Sequence, residues 1–214
     1  LTDDVADIAM VLLLSVMRRI PQGDQFVRQG LWARGKFPLT DKMGGKVMGI
    51  VGLGRIGQAI ARRAEPFGIE IRYFGPRRKD SVPYRYYDNL VAMAKDVDIL
   101  MIACPGGKET AGIVNAAVIE ALGPKGYIVN IARGSVVDEP AMVKALVEKK
   151  IAGAGLDVFA NEPHVPQELL TLDNVALAPH VGSATHETRR AMGELVLKNL
   201  AAHFAGQPVL TRVV

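Results

Sequence analysis

The chain has 214 residues, of which 49% are hydrophobic and 22% are charged, as is ordinary for a soluble globular protein. Its net charge of +4 comes from scattered basic residues, which favour small anionic ligands and give no sign of a nucleic-acid-binding face. The apolar residues 8–16 are too few to span a membrane and lack the features of a signal peptide. The single cysteine excludes an internal disulfide and fits a cytoplasmic protein.

Helical spacing of apolar residues predicts an opening helix over residues 3–20, stopped by Pro21, then a short helix over 22–31 and a loop over 33–45. From there, apolar strands alternate with helices. We predict strands over 46–51, 69–74, 97–103, 126–131, 152–158 and 175–178, and helices over 55–67, 88–95, 115–122, 139–149 and 185–205. Because the strands are continuously apolar and helices separate them, we expect an α/β fold with a doubly wound parallel sheet and helices on both faces.

The segment GLGRIG at residues 52–57 lies between a predicted strand and a predicted helix. In such a loop Gly52 permits a tight turn, Gly54 lets a pyrophosphate approach the backbone, and Gly57 lets the helix pack closely on the strand. The N–H groups of the helix that begins near Arg55 would bind the phosphates. A merely structural turn explains one glycine but not three, so the segment predicts a Rossmann-type dinucleotide-binding fold.

The end of the following strand indicates which dinucleotide binds. NAD-selective sites usually place Asp or Glu there to accept a hydrogen bond from the ribose 2′-OH. Gly75 stands near that position, and Arg77, Arg78 and Lys79 follow it. Arginines bind phosphate through charged hydrogen bonds, so we predict NADP(H) in preference to NAD(H). The alternative is an ordinary solvated basic loop.

Three later segments carry polar residues at strand ends, namely NIARG at residues 130–134, GLDVFANEP at 155–163 and APHVGSAT at 178–185. Together with VGLGRIG, Cys104-Pro105 and VDE at 137–139, these segments make the sequence resemble the D-isomer-specific 2-hydroxyacid dehydrogenases from end to end. Within that family the sequence is most similar to the glyoxylate/hydroxypyruvate reductases, which often prefer NADPH. The resemblance implies an enzyme that transfers a hydride from NADPH to a small 2-keto acid and forms the D-2-hydroxy acid.

The resemblance implies Arg133, Glu162 and His180 as the catalytic set. Arg133 would bind the substrate carboxylate and polarise the ketone, His180 would donate the proton, and Glu162 would orient the imidazole and favour its charged form. Asp157 would contact the nicotinamide side of the cofactor. The full expected cofactor-binding set is Gly52, Gly54, Arg55, Ile56, Gly57, Arg77, Arg78, Cys104, Pro105, Ile131, Ala132, Arg133, Asp157, His180 and Gly182.

Other polar residues carry weaker signals. We expect His164, His186 and His203 on the surface or in helices, and Cys104 in a wall of the cofactor site, since no basic partner for a nucleophilic thiolate is evident. No spacing typical of metal ligands occurs, so no metal is expected.

We expect residues 1–183 to form the dinucleotide-binding domain and residues 184–214 to form a helix and tail that cross towards a substrate domain. The resemblance implies a substrate lobe ahead of residue 1, so the chain alone should bind cofactor but turn over poorly. It also implies a homodimer. Core burial explains part of the apolar character of the opening helix, and the resemblance implies that the rest faces a second subunit, since an exposed stripe of Leu12, Leu13 and Val16 would otherwise promote association.

Two other functions remain open. One is a different member of the family, of D-lactate or phosphoglycerate type, against which Arg77 and Arg78 argue because such members prefer NAD. The other is a dinucleotide-sensing binding protein, like the transcriptional corepressors that share the fold. The complete set of Arg133, Glu162 and His180 favours the enzyme.

Overall fold

A parallel sheet of seven strands forms the centre of the computed structural model, which describes residues 1–212. In chain order its strands are β1 (Val47–Val51), β2 (Glu70–Phe74), β3 (Arg85–Tyr87), β4 (Ile99–Ile102), β5 (Tyr127–Asn130), β6 (Gly153–Leu156) and β7 (Val175–Leu177). They lie in the order β3-β2-β1-β4-β5-β6-β7, each parallel to its neighbours. Every residue of β4, β5 and β6 is buried, as expected for strands that helices cover on both faces.

Helices cover the sheet on both sides. The helices that precede Ser183 in the chain are α1 (Thr2–Arg18), α2 (Ile20–Arg28), α3 (Arg55–Ala64), α4 (Leu90–Lys95), α5 (Ala116–Leu122), α6 (Glu139–Val147) and α7 (Gln167–Thr171), and α8 (His186–Phe204) follows it. One hydrophobic cluster joins α4, α5 and α6 to the sheet, and another joins α1 and α3 to the opposite face. The predicted Rossmann-type doubly wound sheet is therefore confirmed.

The strand order reverses between β1 and β4. From β1 the chain moves outward to β2 and β3, then returns to β4 and continues in the other direction to β7. At such a reversal the connecting loops diverge and leave a crevice beyond the carboxyl ends of the two strands, where ligands bind in open parallel sheets. The turn after β1 is the glycine segment, so the fold places that segment at the crevice.

The predicted exposed stripe on the opening helix is wrong. Leu12, Leu13 and Val16 are all buried, because α1 lies directly on the sheet. Two glycines of β6 make the close approach possible: a Cβ at Gly155 would lie 3.0 Å from Leu12 Cβ, and one at Gly153 would lie 2.8 Å from Val16 Cγ2. The apolar character of this face is explained by core packing, without a second subunit.

Several predicted helix boundaries also differ from the structure by one to three residues, and two of these differences have a clear cause. The opening helix ends at Arg18 because Arg19 adopts a left-handed conformation with φ of 51°. Pro21 does not stop it; instead it lies in the first turn of α2, where a missing N–H disrupts no helical hydrogen bond. The predicted helix over 88–95 begins at Leu90, since the Asn89 side chain accepts from the N–H of Ala92 at 2.9 Å and caps α4.

The chain divides into two compact units. Residues Thr2–Gly182 form the first, and the second begins at Ser183 and contains α8. Within the second unit, Asn199 Oδ1 accepts from the N–H of Leu210 at 2.8 Å, which ties Leu210 back to α8. The roles predicted for residues 1–183 and 184–214 remain predictions. No helix within residues 1–212 is both long and apolar enough to cross a membrane.

Candidate active site

Two of the three glycines in the glycine segment make the close contacts predicted for them. Gly52 has a φ of +94°, and a Cβ there would lie 2.6 Å from Cys104 Cα. A Cβ at Gly57 would lie 2.3 Å from the carbonyl oxygen of Gly52, so α3 can pack onto the turn only without a side chain. Gly52 and Gly57 are therefore required by the backbone itself.

Gly54 differs from the other two glycines because nothing lies within 4 Å of its Cβ position. It is the N-cap residue of α3, and no side chain caps that helix. The N–H groups of the first helical turn have no partner within the helix and carry the positive end of its dipole. Open space above exposed N–H donors fits a pyrophosphate, so the residues here suit a dinucleotide.

A cleft of about 480 Å³ lies beside this turn. It contains six of the residues expected in the cofactor site, which come from the ends of different strands: Ile56, Cys104, Pro105, Ile131, Ala132 and Arg133. Cys104 is buried, and this burial raises the pKa of its thiol to about 11. Such a thiol remains protonated at neutral pH, which agrees with a wall residue and not with a nucleophile.

The basic loop, residues 75–79, follows β2 at the same edge of the sheet. Arg77 and Arg78 are exposed, and Arg78 Nε lies 3.6 Å from Oδ1 of Asp80 in an exposed ion pair. Gly75 has space around it, since nothing lies within 4 Å of its Cβ position. The loop thus presents two solvent-exposed guanidinium groups and no carboxylate at the position where an NAD-selective site places one.

Arg133 follows β5 in a turn that the buried Asn130 organises. The Asn130 side chain accepts from the N–H of Ala132 at 3.0 Å and donates to the carbonyl of Arg133 at 3.1 Å. The stem of Arg133 lies over Gly106, where a Cβ would be 2.7 Å from Arg133 Cγ. Asn130 and Gly106 therefore fix how Arg133 enters the cleft, and sequence reasoning assigned a role to neither.

His180 and Glu162 form a direct pair, with imidazole Nδ1 2.6 Å from carboxylate Oε2. The other oxygen, Oε1, accepts from the N–H of Phe159 at 3.0 Å. Burial would raise the pKa of Glu162, but the hydrogen bonds from His180 and Phe159 and the nearby charges of His180 and Arg133 outweigh it, so the pKa is lowered. The structure thus brings all three predicted catalytic residues to one site.

The backbone of His180 is held by Asp157. His180 has a φ of 54°, a left-handed conformation that is uncommon for a residue with a side chain. Asp157 is 2% exposed, and its two oxygens accept from the N–H groups of Val181 and Gly182, both at 2.8 Å. A Cβ at Gly182 would lie 2.9 Å from Asp157 Oδ2, which explains the glycine. The predicted contact between Asp157 and nicotinamide stays a prediction.

The loops that carry Arg133 and Glu162 touch each other. A Cβ at Gly134 would lie 2.0 Å from the carbonyl carbon of Phe159, so the two backbones are in direct contact. Glu139, in the first turn of α6, accepts from the N–H of Ala160 at 2.9 Å. These contacts fix one loop relative to the other, and Glu139 is a third residue, after Asn130 and Gly106, whose role was not recognised from the sequence.

A family model described as the NAD binding domain of D-isomer specific 2-hydroxyacid dehydrogenases matches residues 10–182. The chain belongs to this family. It is therefore a D-2-hydroxyacid dehydrogenase that binds a nicotinamide dinucleotide, and the expectation drawn from the sequence motifs is confirmed.

Relatives of this dehydrogenase include proteins named as reductases of 2-keto acids. A hydroxyphenylpyruvate reductase from Plectranthus scutellarioides is 56% identical over 214 residues, which is 100% of this chain and 68% of that protein. A glyoxylate/hydroxypyruvate reductase A from Arabidopsis thaliana is 53% identical with the same coverage. A similar crystal structure is that of an NADPH-dependent glyoxylate/hydroxypyruvate reductase from Sinorhizobium meliloti in complex with NADP and malonate. That protein is 50% identical to this chain, and the two structures align with a TM-score of 0.95 over 100% of this chain and 68% of that one.

The other histidines of this dehydrogenase are at the surface, as expected from the sequence. His164, His186 and His203 are exposed, and the last two belong to α8 in the second unit. Within residues 1–212, no group of three or more His, Cys, Asp or Glu side chains is arranged to hold a metal ion.

Proposed function

We propose that this protein reduces a small 2-keto acid, glyoxylate or hydroxypyruvate, to the D-2-hydroxy acid with NADPH as the reductant. The observation that carries the proposal is the His180–Glu162 pair at 2.6 Å, with Arg133 close enough to lower the pKa of Glu162. A cation and a proton donor beside a dinucleotide site are what the reduction of a keto acid requires. The names of the relatives from Arabidopsis and Sinorhizobium agree with this choice.

In the proposed mechanism Arg133 binds the substrate carboxylate with its planar fork of donors and polarises the ketone oxygen. When bound, the dinucleotide supplies the hydride that the carbonyl carbon accepts. His180 donates the proton from Nε2 to the ketone oxygen as the C=O π bond breaks, so the product gains one hydride and one proton. Glu162 remains ionised, holds Nδ1–H of His180 and stabilises the charged imidazole before the transfer.

NADPH is the proposed cofactor in preference to NADH. Arg77 and Arg78 are exposed at the end of β2, and Gly75 leaves that strand end without a carboxylate. Either arginine can bind a 2′-phosphate, whereas a ribose 2′-OH finds no acidic partner at Gly75. The structural relative solved with NADP supports the same choice. We further propose a cytoplasmic location, which the single cysteine supports.

A homodimer is the proposed assembly. The buried face of α1 does not support a dimer. The support comes from residues 20–39, where four large apolar side chains are exposed, namely Ile20, Val27, Trp32 and Leu39. Clustered apolar side chains of this kind are typical of subunit contacts. Sedimentation equilibrium tests the proposal: a monomer at all concentrations would contradict it, and Trp32→Ser should weaken a dimer that forms there.

One relative favours a second substrate. The 56% identical protein from Plectranthus is named a hydroxyphenylpyruvate reductase, and hydroxyphenylpyruvate is also a 2-keto acid. The test is steady-state oxidation of NADPH and NADH by the whole protein with glyoxylate, hydroxypyruvate, hydroxyphenylpyruvate and pyruvate. We expect NADPH with hydroxypyruvate or glyoxylate to give the highest kcat/KM. A protein that binds NADPH tightly but reduces none of the four acids would contradict the proposal and favour the sensing function.

A further inference from the structure

We propose that the hydroxyl groups of Tyr73 and Tyr86 set the preference for NADPH by anchoring the two ends of the basic loop, residues 75–79. The inference rests on the proposed role of Arg77 and Arg78 in binding the 2′-phosphate, and it assigns the positioning of those arginines to two tyrosines that lie beneath them in the sheet.

Tyr73 anchors the far end of the basic loop. It is a residue of β2 and is 1% exposed, so its ring is fixed in the core. Its hydroxyl oxygen accepts from the backbone N–H of Lys79 at 2.7 Å. A core side chain therefore holds the backbone at the residue directly after the two arginines.

Tyr86 anchors the near end. It lies on β3 in register with Tyr73, and the two ring centroids are 5.3 Å apart. Its hydroxyl donates to the carbonyl oxygen of Gly75 at 3.0 Å. The pair thus brackets the loop, with one backbone hydrogen bond just before the arginines and one just after them.

The loop needs these anchors because its own side chains do little to fix it. Residues 76–80 are all exposed, and the ion pair between Arg78 and Asp80 spans 3.6 Å in solvent. Exposed pairs of this kind contribute little stability. An arginine binds phosphate well when its backbone is already in place, because less freedom is then lost on binding.

The effect should be specific to one cofactor. NADH has no 2′-phosphate, so its affinity does not depend on where Arg77 and Arg78 are held. Loss of an anchor should therefore lower the affinity for NADPH and leave the affinity for NADH unchanged. A general loss of folding would lower both affinities equally, which separates the proposed role from a merely structural one.

The experiment compares Tyr73→Phe, Tyr86→Phe and the double variant with the wild-type chain. Tyr84→Phe is the matched control, because the Tyr84 hydroxyl contacts Glu65 at 3.2 Å and not the loop. Dissociation constants for NADPH and NADH are measured by nicotinamide fluorescence. Limited trypsin digestion, read by mass spectrometry at Arg77, Arg78 and Lys79, reports independently on how firmly the loop is held.

We expect each single variant to lower the affinity for NADPH by about fivefold, which is the factor for one net hydrogen bond of about 1 kcal/mol. The affinity for NADH should be unchanged, and tryptic cleavage in the loop should be faster. Tyr84→Phe should change none of these quantities. Three results would overturn the inference. They are equal changes in the affinities for NADPH and NADH, a loop that is cleaved faster while the affinity for NADPH is unchanged, and a loop that is cleaved no faster than in the wild type. A wild-type chain without a preference for NADPH would refute the proposed cofactor choice, and that result is separate from the variant-to-wild-type ratios.

Discussion

Nδ1 of His180 lies 2.6 Å from Oε2 of Glu162, and Asp157 holds the backbone on the carboxyl side of that histidine through two hydrogen bonds of 2.8 Å. The ring and the backbone of one residue are thus fixed by two separate carboxylates. Nε2 is left for the proposed proton transfer. This arrangement is what a positioned general acid requires, and several consequences of it can be measured.

Glu162→Gln should alter how stability depends on pH. The pKa of Glu162 is lowered from its ordinary value of 4.5, so its stabilising contribution is fully present above that value and is lost as the pH falls through the lowered pKa. The measurement is the free energy of unfolding of both proteins across acidic pH. The difference between wild type and variant should shrink as the pH falls below 4.5. A difference that is constant from neutral to strongly acidic pH would contradict the assignment.

Asp157→Asn should destabilise the protein and disturb His180. Each N–H group, of Val181 and of Gly182, is bound by a different oxygen of Asp157, and the substitution replaces one of these oxygens with an NH₂ group that would oppose the N–H it faces. Leaving a buried donor without a partner costs about 1–3 kcal/mol. Chemical denaturation measures the loss, and kcat should fall with it. Asp138→Asn is the control, because Asn caps α6 as well as Asp does; equal stability of the two variants would contradict the prediction.

Gly52→Ala and Gly54→Ala should separate folding from cofactor binding. Alanine at residue 52 needs a φ of +94° and places Cβ 2.6 Å from Cys104 Cα, so the chain should lose more than about 1 kcal/mol of stability. Alanine at residue 54 meets nothing within 4 Å, so the melting temperature should hardly change. Its methyl group nevertheless occupies the space proposed for the pyrophosphate, and NADPH affinity should fall sharply. Normal NADPH titration of Gly54→Ala would refute this function of the turn.

Cys104 should react slowly with alkylating reagents at neutral pH. Burial raises the pKa of its thiol to about 11, so the reactive thiolate becomes abundant only as the pH approaches that value. The measurement is the rate of iodoacetamide labelling of the folded chain as a function of pH, followed by mass spectrometry. Chain unfolded in urea provides the control and should label much faster. Equal rates for folded and unfolded chain at neutral pH would show that the thiol is accessible and ionised.

The sequence predicted the sheet, and it supplied the proposed catalytic set, because both have strong local signals. Continuous apolar runs mark β4 and β5, and the motifs that contain Arg133, Glu162 and His180 occur in family order. The strand β3 was not predicted, since a strand of three residues is too short to show a recognisable pattern of apolar side chains.

Contacts between distant residues were also beyond sequence reasoning. Asp157 accepts from amides 24 and 25 residues away, and Tyr73 is linked to Tyr86 only through the register of two strands. The burial of Leu12 and Val16 depends on Gly153 and Gly155, about 140 residues later in the chain. Periodicity shows that a helix has an apolar face, but it does not show which surface covers that face.

His180 is the proposed proton donor in reduction by NADPH. The most direct test of this role is the rate of hydroxypyruvate reduction by the whole protein and by His180→Gln, with NADPH affinity measured on both. We predict that the variant binds NADPH as the wild type does and that its kcat falls by at least about 100-fold, the scale of general acid catalysis. A variant that retains most of its turnover while binding NADPH normally would contradict this account.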